Sequence, residues 1–444
     1  MKHARHKFIA SLLSLMLATP ALALDDLPDP LTLNDFIQFD QAQVKLGQLL
    51  FYDKILSGNQ NIACATCHHH DFNSADGVSL GIGEGGTGLG IKRTGGTGAD
   101  QIEERVPRNA PALWNLGHRD IQFMFHDGRV EVSDDFGNGF RTPAWIFLPE
   151  GLNSAMAAQA LFPITSEIEM AGQPYENAIG GAAYDAPHYV WPLVADRVRG
   201  IDAYVPMFID AFDDVSNAED ITIVHIANAI AAFEGTEFRN FDSPFDKYLS
   251  GDETALSEPQ KRGMELFYGK IGCSDCHAGP LLSNQSFMAL GLPTFGPGLT
   301  PLNDPIPRDV GRMAVSDDME DAYRFRVPFL RNVALTAPYG HNGAMPTLEA
   351  MVRHHFNPRQ SNTNWQTEMA QLPPVPWLAS GDFALRENTA ENDRILSKID
   401  IELPPATDAE IADIVAFLNA LTGETALDRP MGRPDTVPSG LPVD

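Results

Sequence analysis

The chain has 444 residues, and its 59 Asp and Glu against 31 Lys and Arg leave a formal net charge of −28 at pH 7. Such a surface excludes nucleic acid as a partner; it either steers basic partners in or simply keeps an exported protein soluble. Thirty-seven glycines and 33 prolines imply many loops, and no apolar run beyond the N-terminus is long enough to span a bilayer.

Lys2, Arg5 and Lys7 precede an apolar stretch from Phe8 to Leu17, and Ala21-Leu22-Ala23 supplies a small-x-small cleavage site. This pattern predicts a secretory signal peptide over residues 1–23 and a soluble mature protein in a bacterial periplasm. The mature chain has roughly 420 residues, enough for two or more domains, and its net charge falls to −31 without the three basic residues of the leader.

A first helix is marked by Val44, Leu46, Leu49 and Leu50 at helical spacing. It ends in Gly47-Gln-Leu-Leu-Phe51-Tyr52-Asp-Lys54 and is followed by Cys64-Ala-Thr-Cys67-His68. The pattern returns as Gly263-Met-Glu-Leu-Phe267-Tyr268-Gly-Lys270 before Cys273-Ser-Asp-Cys276-His277, and the two motifs hold every cysteine in the chain. C-x-x-C-H is the attachment signature of c-type haem: the thiols form thioethers to the porphyrin and the histidine ligates iron. Zinc would need further ligands for each motif, and a redox dithiol does not come as two copies each followed by histidine. Two covalent haems, and therefore redox chemistry, are expected.

Between the motifs, Gly81–Gly98 is glycine-rich; without a lysine-bearing helix start it is a weak phosphate cradle and a better mobile loop near the first haem. A helix over Ile221–Phe233 closes the first half. The helix before the second motif starts at Ser257, with Pro259 in its first turn and Gln260 completing a capping box. Asn357–Lys398 reads as an inserted surface loop. Thr407 and Glu410 open a terminal helix whose stripe is Ile411, Ile414, Val415, Leu418 and Leu421, and Gly423 stops it. The expected fold is mainly α, with two tandem cytochrome-c-like domains over 24–240 and 241–427, each carrying one haem, and a frayed tail over 428–444.

From Gly47 to Gly423 the sequence resembles the bacterial dihaem cytochrome c peroxidase family, which includes MauG-type enzymes that oxidise a protein substrate. The resemblance rests on Pro107-Arg-Asn-Ala-Pro111, His126-Asp-Gly-Arg129, Pro163-Ile164 with Glu169-Met170, Ser243-Pro-Phe-Asp-Lys-Tyr-Leu249, Gly311-Arg312 and Leu330-Arg-Asn-Val-Ala-Leu-Thr-Ala-Pro-Tyr-Gly-His-Asn-Gly343, in that order around the haem motifs. It implies that the first haem, on Cys64, Cys67 and His68, binds peroxide, and that the second, on Cys273, Cys276 and His277, stores or relays electrons. Glu169 matches the family's distal acid/base carboxylate, which moves a proton between the peroxide oxygens, and Gln159 a second distal polar group; a solvated helix-cap acid is the plain alternative for Glu169. Asn109, with the carbonyls of Thr336 and Pro338, matches a calcium site, whose hard cation suits oxygen ligands.

Three departures stand out. Where the family carries a sixth ligand of the second haem, Met or (in MauG-type members) Tyr, counting from Tyr339 reaches His355. A bis-histidine haem, His277 with His355, is expected, with His354 and Met351 as fallbacks and with mere polar surface residues as the bland reading. Loss of thioether ligation lowers the potential. The tryptophan expected before Asp-Gly-Arg is His126, so electrons pass through His126 or reroute through Phe125 or Trp114, unless His126 itself approaches an iron. No histidine lies between Asp71 and Gly117 to act as a displaceable cap, so the first haem is expected to be open when fully oxidised, unless His118, His126 or a methionine caps it.

The function these residues favour is reduction of hydrogen peroxide with electrons from a small cytochrome c or cupredoxin. A MauG-like oxidase of a partner's Trp or Tyr is the second reading, and a non-catalytic electron carrier the third. Family members are often homodimers.

Overall fold

The computed structural model describes residues 27–300, 304 and 306–444; the leader predicted over 1–23 lies outside them. Helices dominate. The first half contributes α1 (Gln41–Tyr52), α2 (Cys64–Cys67), α3 (Ala155–Ala160), α4 (Ala178–Asp185), α5 (Pro187–Arg199), α6 (Val205–Ala211) and α7 (Ile223–Glu237). The second contributes α8 (Pro244–Leu249), α9 (Glu258–Tyr268), α10 (Met313–Ser316), α11 (Leu348–Phe356), α12 (Pro358–Asn364), α13 (Thr389–Ser397), α14 (Asp408–Asn419) and α15 (Thr425–Asp428). Two small antiparallel sheets complete the fold: β1 (Phe123–Met124), β2 (Val130–Val132) and β3 (Phe140–Arg141) in that order, and β4 (Phe287–Met288) beside β5 (Phe325–Arg326). No helix among the described residues is long and apolar enough to cross a membrane.

The repeated G-x-x-L-F-Y pattern turns out to be a helix-crossing device. α1 lies on α7 so closely that a Cβ on Gly47 would fall 1.8 Å from the Ala229 carbonyl oxygen; α9 lies on α14 with the same margin, 1.9 Å from Gly263 to the Asp413 oxygen. Only glycine permits either approach. Four residues on, Phe51 meets Phe233 and Phe267 meets Phe417, both pairs with ring centroids 5.2 Å apart. Each pair anchors an apolar core, one around Leu50, Phe51 and Phe233, the other around Phe267, Ile414 and Phe417. The predicted caps hold: Ser257 N–H donates to Gln260 Oε1 at 2.8 Å and Glu410 N–H to Thr407 Oγ1 at 3.3 Å.

Charge joins the halves. Arg108 is buried between Asp127 (2.6 Å) and Asp309 (2.7 Å), Arg312 donates to the Gly128 carbonyl at 2.8 Å, and the Arg326 N–H donates to the His126 carbonyl at 2.7 Å.

Three expected loops are ordered parts of the structure. The glycine-rich segment is not a mobile loop: buried Arg93 threads it, donating to the carbonyls of Ile82 (2.6 Å), Gly83 (2.7 Å) and Gly88 (2.8 Å). A backbone held by its own arginine needs no periodic apolar pattern, which is why the sequence reads as loose. Asn357–Lys398 is not a surface insertion, since it contains α12 and α13, buries Trp365 with its Nε1–H on the Ala344 carbonyl, and pairs Asp382 with Arg105 of the first half. The tail is not frayed. It crosses back to the first half, where Glu237 accepts the amides of Met431 and Gly432 (both 3.0 Å), Asp53 accepts Ser439 Oγ–H at 2.6 Å, and Asp444 pairs with Lys54. Polar anchors spaced along a Pro/Gly-rich segment order it without a helix or strand.

Candidate active site

In both motifs a short turn begins at the first cysteine, and the histidine N–H closes it on that cysteine's carbonyl: His68 on Cys64 at 3.0 Å, His277 on Cys273 at 2.9 Å. The imidazoles are oriented alike. His68 Nδ1 lies 3.0 Å from the Ser74 carbonyl and His277 Nδ1 3.0 Å from the Leu282 carbonyl. A carbonyl can only accept, so Nδ1 carries the proton and Nε2 is left with its lone pair, the form in which imidazole binds a metal. Burial holds both rings below the ordinary histidine range, His277 at about 4 with the neighbouring His355 adding to the effect. They are neutral at pH 7.

No disulfide joins the four cysteines, which leaves their sulfurs available for thioether bonds. Burial pushes Cys64, Cys67 and Cys273 up to about 12, Cys67 with help from the carboxylates of Asp76 and Glu169. Among the described residues no three His, Cys, Asp or Glu side chains converge to hold a metal ion. At the second motif the residues present fit a thioether-linked haem. Beside Cys273, Cys276 and His277 opens a cavity of about 430 Å³ with apolar walls that include Leu292, Phe329 and Leu348. A planar macrocycle held at one edge by two thiols needs such a space.

Glu169 stands on a π-turn, Glu167–Ala171, that follows the turn Pro163–Thr165. Such turns depart from α geometry and often mark functional sites. Gly83 explains why the glycine-rich segment matters here: a Cβ on it would fall 1.9 Å from the Ile168 oxygen and 2.9 Å from Glu169 Cα. The segment therefore clamps the turn that carries Glu169. Burial raises this carboxyl above its ordinary range, against the pull of Arg129 and Arg108. Gln159 is half-buried at the end of α3, and no hydrogen bond joins it to Glu169.

α11 brings His355 and Met351 to the wall of this cavity, with His277. His355 Nδ1 is 2.8 Å from the Met351 carbonyl, which leaves its Nε2 free. His354 differs. It is fully buried, with Nδ1 on Ser361 Oγ (2.9 Å) and Nε2 on the Leu290 carbonyl (2.8 Å), so neither nitrogen is spare.

His126, Trp114, Asn109, Thr336 and Pro338 also line this cavity. His126 Nε2 lies 3.0 Å from the Asn109 carbonyl, and burial together with Arg108 lowers the ring to about 4. Trp114 donates Nε1–H to the Asn73 carbonyl, five residues past His68, and so spans from the first motif's loop to the second motif's cavity. Asn109 Nδ2 donates to the Val78 carbonyl at 2.7 Å, turning Oδ1 the other way, while Thr336 spends its N–H and hydroxyl on the Val333 carbonyl and keeps its own oxygen. A cation there would rest on neutral oxygens.

Several site residues were not foreseen. His341 stacks on Phe325 with centroids 3.6 Å apart and lines the cavity beside His126; its place in the Tyr339–Gly343 run was the available signal. His70 is locked between Tyr52 Oη and Glu237 Oε1, the latter at 2.9 Å. Glu234, buried near Cys64 with one oxygen unpartnered, is raised to about 8 by burial. Neither of the last two carries a local signature, because each depends on helix packing.

Comparison with known proteins places this geometry. Residues 41–254 match the family model of di-haem cytochrome c peroxidase. The chain is 32% identical to cytochrome c551 peroxidase of Pseudomonas aeruginosa over 70% of its own length and 71% of that protein. It is 33% identical to the cytochrome c peroxidase Ccp of Escherichia coli over 71% of its length, spanning about half (53%) of that longer relative. Among solved structures it is similar to a MauG-like protein associated with microbial copper homeostasis, at 26% identity and a TM-score of 0.56, covering 90% of this chain and 95% of that one. With its two C-x-x-C-H turns, the chain belongs to the di-haem cytochrome c peroxidase family and is an oxidoreductase of the peroxidase type.

Proposed function

We propose that the protein is a periplasmic dihaem peroxidase that reduces hydrogen peroxide to water, with electrons relayed through the second haem from a small cytochrome c or cupredoxin. What carries the reading is the asymmetry of two otherwise matched motifs: a carboxyl, Glu169, serves the first and an imidazole with a free Nε2, His355, serves the second. Cys64, Cys67 and His68 would hold the first haem; Cys273, Cys276, His277 and His355 the second. Bound haem supplies a redox-active iron. Glu169 accepts the proton of one peroxide oxygen and delivers it to the other, so that water leaves as the O–O bond breaks. Gln159 orients the peroxide, and two electrons and two protons balance one peroxide to two waters. His126 and Trp114 are the side chains placed to relay electrons. Asn109 Oδ1 with the carbonyls of Thr336 and Pro338 would hold calcium between the halves.

Two experiments test this. Hydrogen peroxide added to the fully oxidised holoprotein should change the haem spectrum promptly, and silence until one haem is reduced would return the protein to the reductively activated peroxidases. Redox titration should give the second haem a potential below that of a His/Met haem, raised in His355→Met; a His/Met-type potential in the parent would refute the assignment.

The MauG-like reading, oxidation of Trp or Tyr on a partner protein, draws on the absence of histidine from 71–117 and on the likeness to a MauG-like structure. A stable peroxide-derived spectrum that decays only on adding a protein substrate would favour it.

A further inference from the structure

One surface of the first half is unusually apolar. After β3 the chain turns at Trp145-Ile146-Phe147, exposed to 63%, 69% and 54%, with Trp145 in left-handed backbone at φ 51°. A bulky residue rarely adopts that conformation. Phe147 stacks face to face on His188, centroids 4.1 Å apart at 9°, and His188 packs on Tyr189 at 4.2 Å. The turn and the start of α5 thus form one continuous aromatic face. Exposed apolar patches of this kind mark interaction sites.

Its rim is acidic. Asp134, Asp135, Glu150 and Asp185 are all exposed, and the β2–β3 hairpin tip is tied to the aromatic turn by Asn138 Nδ2–H on the Leu148 carbonyl, 3.3 Å. From Glu131 to Asp196 the sequence holds nine Asp and Glu but only one Arg, Arg141, and no Lys. A second copy of this chain would set that rim against itself, whereas a basic partner is complementary. The inner side of α5 reaches the first site: Trp191 donates Nε1–H to the Leu161 carbonyl, two residues past Gln159, and Arg197 donates to the Ser57 and Gly58 carbonyls (2.5 and 2.9 Å), just ahead of the first C-x-x-C-H turn.

We propose that the Trp145–Phe147 turn and the start of α5 form the docking face for a small basic protein with an apolar centre ringed by Lys or Arg. The docking rests on the apolar and acidic character of this face and not on the peroxidase reading, in which the electron donor feeds the second haem.

The test uses the holoprotein and, as probe, a small cationic cytochrome c at low salt, with binding followed by calorimetry. The double substitution Trp145→Ser with Ile146→Ser changes only exposed side chains. It should weaken binding by about tenfold or more while the haem response to peroxide stays as in the parent. Neutralising the rim (D134N, D135N, E150Q, D185N) should slow association and flatten its salt dependence. Unchanged affinity in both variants, or no binding of the probe by the parent, overturns the proposal. So does a dimer in sedimentation that the double substitution dissolves, because the face would then belong to a second copy. If peroxide leaves the haems unchanged but the double variant still loses the probe, the peroxidase reading fails and the docking face stands.

Discussion

The first and second motifs share a scaffold down to the atom that fixes it, a glycine whose Cβ would fall under 2 Å from a carbonyl oxygen of the crossing helix, and orient their histidines by the same Nδ1–carbonyl bond. They differ in what a third element brings to the free side. In the proposed function, a π-turn clamped by Gly83 would present Glu169 at the first, and the regular helix α11, which brings His355 and Met351 to the cavity wall, would serve the second. A ligand side chain can close a site, whereas a raised carboxyl leaves it open and supplies a proton carrier. Duplicated scaffolds can therefore divide labour by changing only the element that faces the motif.

Glu169→Gln should break this asymmetry most sharply. It keeps the shape and removes the proton carrier, so the rate of the peroxide reaction should fall about 10²–10⁴-fold while the potential of the second haem stays put. In the parent, burial raises this carboxyl, so the rate should climb with pH through a midpoint above the ordinary Glu value of about 4.3. Stopped-flow measurements across pH check both; a rate indifferent to the substitution would leave the electron-carrier reading.

Next comes the joint between the halves. Arg108→Leu strands Asp127 and Asp309, and should cost about 3–5 kcal/mol in denaturant unfolding at neutral pH. Burial pushes Asp127 up, but Arg108 and Arg129 outweigh it and hold the carboxyl below its usual range. Its contribution is therefore complete above the unfolded-state pKa and is lost as pH falls toward the folded one. In the variant both carboxylates lose that support, so the gap to the parent should be widest near neutrality and narrow in acid.

The equivalence of the scaffolds is tested by Gly47→Ala and Gly263→Ala made separately. Each forces a helix pair apart and should cost at least about 1–3 kcal/mol, with each substitution perturbing chiefly the haem of its own half. Unequal costs would show that the two crossings are not the same device. The smallest effect is expected from Ser439→Ala, which removes one bond from the tail to Asp53. About 0.5–1.5 kcal/mol should be lost, and faster proteolysis of the tail would report its release.

The motifs, the helix that precedes each one and the capped terminal helix were legible because their signals are local: fixed spacing, a cap three residues from its partner, an apolar stripe. The candidate pair Glu169 and His355 came from family resemblance, and the neighbouring residues narrow the choice at the second site, since His354 has both nitrogens engaged. The glycine-rich segment, the 357–398 stretch and the tail carry no such local signal. The first is held by its own Arg93 and the other two by polar anchors from distant parts of the chain, such as Arg105 to Asp382 and Glu237 to Met431; such bonds leave no periodicity behind.

Two c-type haem motifs, each preceded by a repeated helix in an acidic, mainly α chain, are readable from adjacent residues, because covalent attachment and helix capping are local. Which histidine of α11 keeps a free nitrogen, which segments are anchored and which surface is left apolar emerge only from the tertiary structure. Those depend on what packs across hundreds of residues, and burial and charge at such contacts are set by the fold.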